Sequence, residues 1–197
     1  ALSSGTTDQA IASLSSFNER LMVGGYFSTI CGVSAYGLAQ WNGSSFESVG
    51  GGLSGFLTTV VLCLFPYEDK LIVCGQFTTA GSITCNNIVQ WDGSIWQSFG
   101  TGASNAVISA IYYHGDLIIG GLFITVDGVS AIKIARWNGT SWSSMGSGMD
   151  DRVNSLAVFQ DKLVAGGMFT TAGGVACNYI AQWNGISWSP LGIGTNN

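Results

Sequence analysis

Residues 163–194 read LVAGGMFTTAGGVACNYIAQWNGISWSPLGIG and contain every landmark of a repeated unit. Its landmarks occur four times, beginning with a glycine-containing segment that ends in Phe27, Phe77, Phe123 and Phe169. A tryptophan follows each of these phenylalanines after fourteen residues, and a second aromatic residue follows that tryptophan after five. Successive copies are separated by 50, 46 and 46 residues, so the chain is a tandem repeat.

Each copy contains several short apolar runs separated by turn residues. In the last copy these runs predict four strands, at residues 153–159, 163–169, 179–183 and 187–191. The second strand is apolar on consecutive residues, which indicates a sheet that is covered on both faces. A period in the forties with several strands per copy is typical of β-propeller blades, whose sheets cover one another.

Turn residues divide the strands of every copy at the same places. Asn-Gly or Asp-Gly follows each repeated tryptophan, and these dipeptides favour hairpins because they accept positive φ. Polar residues separate the first and second strands, and His114 lies in one of these turns. Both patterns predict an antiparallel meander in each copy.

We therefore predict an all-β fold, a β-propeller of four tandem four-stranded antiparallel blades. The chain is expected to be a single repeat domain over residues 1–197, with blades at about 7–52, 53–102, 103–148 and 149–197. Residues 2–6 resemble residues 191–195, which predicts a further copy upstream. A closed four-bladed ring, half of a larger ring completed by another copy and a section of a longer protein all remain open, and a solenoidal stack is the alternative fold.

The repeat resembles a known family. Val-Gly-Gly-x-Phe, then Ile-Ala-x-Trp-Asn-Gly-x-Ser-Trp, then Leu-Gly-x-Gly is similar to the kelch-like propeller repeats of secreted and surface proteins, and residues 163–194 match best. Similar repeats occur in the ectodomains of fungal cortical cell-polarity markers and in bacterial cell-surface proteins. The resemblance implies an extracellular or cell-surface location. It implies little about function, because the shared residues are those that build a blade.

Composition excludes several classes of partner. Only 9% of the residues are charged and the net charge is −5, which disfavours nucleic acid. No apolar run approaches the length of a membrane-spanning helix. The five cysteines have no zinc-ligand spacing, so most are expected to be buried free thiols, with one bridged pair as the alternative.

Catalytic chemistry is also poorly supported. The single histidine, His114, lies at a turn, so neither a Ser-His-Asp nor a Cys-His arrangement is expected. We predict no enzyme activity, no metal site and no cofactor. The seven tryptophans mostly occupy repeated positions, which favours packing over the stacking of sugars.

Two places depart from the repeat and are the candidate sites. Asp150, Asp151 and Arg152 form a charged loop before the fourth blade, and no charged counterpart is expected in the other copies. Phe56 lies in the only lengthened loop between copies. Both are predicted to contact a protein or glycan, in a non-catalytic scaffold or recognition module that can self-associate. A carbohydrate-binding lectin and a glycoside hydrolase with loop carboxylates are the alternatives.

Overall fold

The computed structural model describes residues 7–55 and 58–195. The described residues form strands and turns without any helix, and the strands make eight antiparallel sheets. The chain divides into two compact units, residues 1–102 and 103–197, and each unit holds two of the predicted copies. The all-β prediction is confirmed. The single domain of four copies stays a prediction, and residues 2–6 lie outside the described part.

Unit 1 contains two four-stranded sheets and a smaller sheet beside each of them. Sheet 1 has the strand order β1-β2-β5-β6, and sheet 2 has the order β13-β12-β9-β8. The strands are β1 (Ile11–Phe17), β2 (Arg20–Gly25), β3 (Thr29–Ile30), β4 (Val33–Ser34), β5 (Leu38–Trp41), β6 (Phe46–Ser48), β7 (Leu53–Ser54), β8 (Val60–Tyr67), β9 (Lys70–Gln76), β10 (Thr79–Ala80), β11 (Ile83–Thr84), β12 (Ile88–Trp91) and β13 (Trp96–Ser98).

Unit 2 repeats this arrangement. Sheet 3 has the order β14-β15-β18-β19, and sheet 4 has the order β20-β21-β24-β25. The strands are β14 (Val107–Tyr113), β15 (Asp116–Gly121), β16 (Thr125–Val126), β17 (Val129–Ser130), β18 (Ile134–Trp137), β19 (Trp142–Ser144), β20 (Val153–Phe159), β21 (Lys162–Gly167), β22 (Thr171–Ala172), β23 (Val175–Ala176), β24 (Ile180–Trp183) and β25 (Trp188–Pro190).

A short hairpin lies between the second and third strands of every copy, and the sequence did not predict it. In the last copy Thr171–Ala172 pairs with Val175–Ala176. Its turn is Gly173-Gly174, and both glycines have positive φ, at 59° and 81°. Two-residue strands are too short to show an alternating pattern, so the glycine pair was their only signal in the sequence.

The turns explain why each sheet is a tight meander. The first turn of sheet 1 has two central residues, Asn18 and Glu19, both with positive φ, as a two-residue hairpin turn requires. The turn after the repeated tryptophan is wider. In sheet 1 the Asn42 side-chain oxygen accepts the backbone N–H groups of Ser44 and Ser45 at 2.9 Å, while Gly43 takes the positive φ.

Within each unit the second sheet packs against the first, and the forward face of a sheet is the one turned to the next sheet of the chain, while its backward face is the opposite one. The forward face of sheet 1 includes Phe17, Met22 and Leu38, which pack in one cluster with Val61, Leu64 and Leu71 from the backward face of sheet 2. Unit 2 repeats this: the forward face of sheet 3 has Tyr113, Ile118 and Ile134, and the backward face of sheet 4 has Val153, Leu156 and Leu163. Apolar burial between the faces holds each pair of sheets together.

Four phenylalanines, one from each copy, are fully buried: Phe27, Phe77, Phe123 and Phe169. The five cysteines are all free thiols, and three of them, Cys74, Cys85 and Cys177, are buried. Burial raises the pKa of Cys85 to about 12, so this thiol behaves as a small apolar group. The prediction of buried free thiols is thus confirmed for these three.

Candidate recognition cleft and the predicted site residues

Unit 1 contains a cleft of about 290 Å³ beside the lengthened loop that joins its two sheets. Two exposed tyrosines, Tyr26 and Tyr36, stand on its wall. The remaining lining residues are uncharged: Gln9, Phe27, Ser28, Gly55, Thr58, Thr59 and Val60. Aromatic rings beside hydroxyl and amide groups, with no charged side chain among the described lining residues, suit a neutral polar ligand.

Local backbone structure holds both tyrosines at the cleft. Tyr26 follows the Gly-Gly pair that ends β2, and its N–H donates to the Ala10 carbonyl oxygen at 2.9 Å. A Cβ at Gly25 would lie 2.4 Å from the same oxygen, so the glycine permits this close approach. Tyr36 has a positive φ of 42°, and its N–H donates to the Ser28 carbonyl oxygen at 3.1 Å.

Asp8 binds the cleft residue Ser28. Its carboxylate accepts the Ser28 hydroxyl and the backbone N–H groups of Ser28 and Thr29, the latter two at 2.9 and 3.1 Å. The Ser28 hydroxyl, followed by the Thr29 N–H, holds the pKa of Asp8 below its usual value. Asp8 is therefore a charged group that fixes the loop carrying Ser28.

Asp150 does the same in sheet 4, and this corrects the expectation that its loop has no charged counterpart. Its carboxylate accepts the Thr170 hydroxyl at 2.6 Å and the N–H groups of Thr170 and Thr171 at 2.9 and 2.8 Å. Asp8 is its counterpart in sheet 1. Asp8 precedes Phe27 by nineteen residues, as Asp150 precedes Phe169, so the sequence already contained this match. The strand bridges Thr7–Ile30 and Met149–Ala172 align the two aspartates in the structure.

Hydrogen bonding also fixes the protonation of Asp150. Partial burial acts to raise its pKa, but the hydrogen bonds from Thr170 and Thr171 outweigh burial and lower it. A group with a lowered folded-state pKa stabilises the fold above its unfolded pKa, near 3.8, and loses this contribution as pH falls through the folded value. Asp150 is thus a carboxylate at neutral pH.

We expect Asp150→Asn to lower the melting temperature at pH 7, because the amide retains one acceptor oxygen but loses the charge that strengthens the three hydrogen bonds. Melting curves between pH 7 and pH 2 should show the gap between wild type and variant shrinking below pH 3.8. Asp151→Asn is the matched control and should change the melting temperature less. A gap that is constant over the whole pH range would contradict this role.

Asp151 and Arg152 remain at the surface. The Asp151 carboxylate accepts the N–H of Arg152 at 2.6 Å, and Asn105 makes the same contact to Ala106 in sheet 3. The Arg152 guanidinium lies against the Met168 sulfur, at 2.8 Å from Nη2. The Asp150 carboxylate therefore binds the loop at Thr170, whereas the Asp151 carboxylate bonds to the next residue of the chain, Arg152.

His114 lies in the first turn of sheet 3, as predicted. Its Nε2 is 2.7 Å from Oδ1 of Asp161, in the corresponding turn of sheet 4, and its ring stacks on Tyr113 with centroids 4.0 Å apart. The His114 and Asp161 side chains are both largely exposed. Burial, and then the charge of Asp161, raises the pKa of Tyr113. These contacts link the tips of two sheets.

The tryptophans pack as the sequence predicted. The repeated pairs are tilted against each other, with ring centroids of Trp91 and Trp96 4.6 Å apart and those of Trp183 and Trp188 5.3 Å apart. Trp188 is buried and donates from Nε1 to the Met145 carbonyl oxygen at 3.0 Å. Their main role is to pack the outer part of each sheet.

Phe56, the remaining candidate, lies outside the described residues. Gly55 and Thr58, the described residues on either side of the gap, line the cleft. Sequence reasoning missed Tyr26 and Tyr36. Their positions vary among the copies, with Gln76 matching Tyr26 and Asn86 matching Tyr36, and this variation on a constant framework was the available signal.

Two features are absent from the described residues. In residues 7–55 and 58–195 no three His, Cys, Asp or Glu side chains are grouped so that they could hold a metal ion. The same residues contain no helix of the length and apolarity needed to cross a membrane.

Comparisons with known proteins concern the fold. No family model and no curated protein sequence matches the chain. The structure is similar to the crystal structure of the computationally designed Ika4 protein, with a TM-score of 0.55 and 13% identity over 90% of this chain and 92% of that chain. The computationally designed Ika8 protein aligns with a TM-score of 0.37 and 14% identity over 89% of this chain and 71% of that chain. The similarity to the Ika4 protein supports an all-β architecture of repeated sheets.

Proposed function

We propose that the protein is a non-catalytic recognition module of the cell surface or extracellular space, and that its cleft binds a neutral carbohydrate. The observation that carries this proposal is the pairing of two exposed tyrosines with hydroxyl and amide groups around about 290 Å³. Tyrosine rings offer apolar faces to the C–H side of a sugar, and the polar neighbours can bond to its hydroxyls.

The four sheets are, on this proposal, blades of a β-propeller of the kelch-like type. Each sheet is a four-stranded meander, and within each unit one sheet covers a face of the next. Such an arrangement leaves the loops at the strand ends as the natural binding surface. A surface location agrees with the small proportion of charged residues, 9%, and with the kelch-like repeat.

A glycoside hydrolase is the less favoured alternative. Its general acid needs a carboxyl group with a raised pKa, whereas hydrogen bonds lower the pKa of Asp150. The Asp150 oxygens are also occupied by the threonine loop. A structural scaffold is the second candidate function, and exposed apolar sheet faces favour it.

The carbohydrate proposal is tested with a glycan array and the double variant Tyr26→Gln/Tyr36→Asn. These substitutions introduce residues that sheet 2 already carries at the matching positions, Gln76 and Asn86, and Asn86 also has positive φ. The variant should therefore fold normally. We expect wild-type protein to bind a subset of neutral glycans and the variant to bind them at least about tenfold more weakly, as loss of stacking and hydrogen bonds implies.

Tyr112→Ser is the matched control, because Tyr112 is an exposed tyrosine that does not line the cleft. It should leave glycan binding unchanged. Circular dichroism establishes that all three proteins are folded. If folded wild-type protein retained no neutral glycan, or if the double variant bound as well as wild type, carbohydrate binding at this cleft would be disproved.

A further inference from the structure

The backward face of sheet 1 is apolar and exposed. In sheet 2 this face is covered by sheet 1, and Leu64 is only 6% exposed. The matching residue of sheet 1, Leu14, is 60% exposed, and Ile11 and Leu21 are exposed beside it. These three residues correspond to Leu64, Val61 and Leu71, which are all buried.

The forward face of sheet 4 is exposed in the same way. Phe159 is 62% exposed, whereas Tyr113 at the matching position of sheet 3 is 6% exposed. Val164 and Ile180 are half-buried, although their counterparts in sheet 3, Ile118 and Ile134, are fully buried. Each of the two faces thus has the composition of a sheet interface without a sheet covering it.

In each covered interface a glycine of one sheet lies against a β-branched side chain of the next, and the two exposed faces carry the matching residues. A Cβ on Gly24 of sheet 1 would lie 2.5 Å from Val61 Cγ1, and one on Gly120 of sheet 3 would lie 2.6 Å from Val153 Cγ1. Because glycine has no Cβ, each of these positions leaves a gap in the sheet face, here called a notch, that holds a β-branched side chain of the next sheet. The matching Gly166 of sheet 4 has an open notch, with only the Tyr179 carbonyl oxygen within 4 Å.

A hydrogen bond accompanies the notch in both units. The Ser13 hydroxyl accepts the N–H of Leu64 at 3.0 Å, and the Ser109 hydroxyl accepts the N–H of Leu156 at 3.2 Å. Ser155 occupies the matching position on the forward face of sheet 4 and is exposed. On the backward face of sheet 1, the Leu14 N–H has the same position as the donating N–H groups of Leu64 and Leu156. The Ile11 side chain has the position of Val61 and Val153, whose side chains fill the notches.

We propose that a second copy of this chain covers both faces, with sheet 4 of each copy packed on sheet 1 of the other. The pairing continues the interface that already joins sheets 1 and 2 and sheets 3 and 4. Ile11 of one copy enters the notch at Gly166 of its partner, and the Leu14 N–H donates to the partner's Ser155 hydroxyl. In a head-to-tail pair of copies, each exposed face of one copy is covered by the opposite exposed face of the other, and no smaller assembly of copies achieves this. This assembly is independent of the carbohydrate cleft.

Molar mass from light scattering on a sizing column tests the proposal. Wild type should have twice the 20.5 kDa of one chain. Gly166→Val fills the notch and Leu14→Glu places a charge on the opposite face, so each variant alone should have the mass of one copy. Gly166 has open space beside it and Leu14 is exposed in the single chain, so both variants should remain folded. Circular dichroism checks this.

Mixing the two variants provides the sharper test. Leu14→Glu protein retains an intact forward face, and Gly166→Val protein retains an intact backward face. An equimolar mixture should therefore regain a species of two chains that neither variant forms alone. The control Ile186→Glu, at a hairpin tip that is 86% exposed, should leave the wild-type mass unchanged.

Three outcomes of the measurements on unmixed protein would overturn the proposal: a wild-type mass of one chain, a series of species larger than two chains, or a two-chain mass that survives both substitutions. A mixture that remains single-chain would exclude the head-to-tail arrangement. Glycan binding is measured separately and at a different surface, so failure of the assembly and failure of the carbohydrate proposal are distinguishable.

Discussion

Phe169→Ala is expected to lower the free energy of unfolding by about 3–5 kcal/mol, the usual cost of deleting a fully buried phenylalanine. Phe169 is 0% exposed and belongs to the cluster that includes Ala172, Cys177 and Trp188. Alanine would leave a cavity in this cluster, because the surrounding strands are fixed by their ladders. The loss is a large part of the roughly 5–15 kcal/mol that stabilises a typical domain. Urea unfolding followed by tryptophan fluorescence measures it.

Ile186→Ala is the control for this experiment. Ile186 is an exposed apolar residue of the same unit, so its truncation removes few contacts. Its free energy of unfolding should stay within about 0.5 kcal/mol of the wild-type value. If Phe169→Ala were equally mild, the repeated phenylalanine would not be a principal element of the core.

Gly148→Ala is expected to destabilise the protein by about 2–5 kcal/mol, from two costs that add. Gly148 has a φ of 78°, where an L-residue costs about 1–2 kcal/mol. A Cβ there would also lie 2.2 Å from the Ile132 carbonyl oxygen. Relieving this overlap requires a backbone shift, with a typical cost of about 1–3 kcal/mol. The measurement is again urea unfolding.

Gly128→Ala separates the two costs. Gly128 has nearly the same φ, 76°, but a Cβ there would meet nothing within 4 Å. Gly128→Ala should therefore lower the free energy of unfolding only by the cost of the positive φ, about 1–2 kcal/mol. Equal losses at Gly148 and Gly128 would show that the approach to Ile132 is unimportant.

The repeat allowed much of the fold to be predicted. The strand at Val153–Phe159 has its predicted limits, and the ends of the other three strands of sheet 4 lie within two residues of the prediction. Their apolar runs and glycine turns encode them locally. The hairpin at Thr171–Ala172 and Val175–Ala176 was missed because strands of two residues depend on neighbouring chain segments for their order.

The candidate site was harder to predict. Asp150 stood out by its charge, yet its hydrogen bonds to Thr170 and Thr171 join residues about twenty positions apart, a pairing that only the folded chain displays. Tyr26 and Tyr36 come together at one cleft because the hairpin between them turns the chain back. Single-sequence periodicity contains no information on which loop residues converge in this way.

In each copy the chain segment that leads into the four-stranded sheet pairs with the short hairpin beside that sheet. Thr7, Ala103 and Met149 bridge to the short hairpin of the sheet that follows, and β7 pairs with β10 in the remaining copy. The incoming segment and the hairpin thus belong to the same module. Anyone who wishes to add, delete or circularly permute copies should cut the chain just before these residues, at the glycine connections, where each cut leaves every ladder whole.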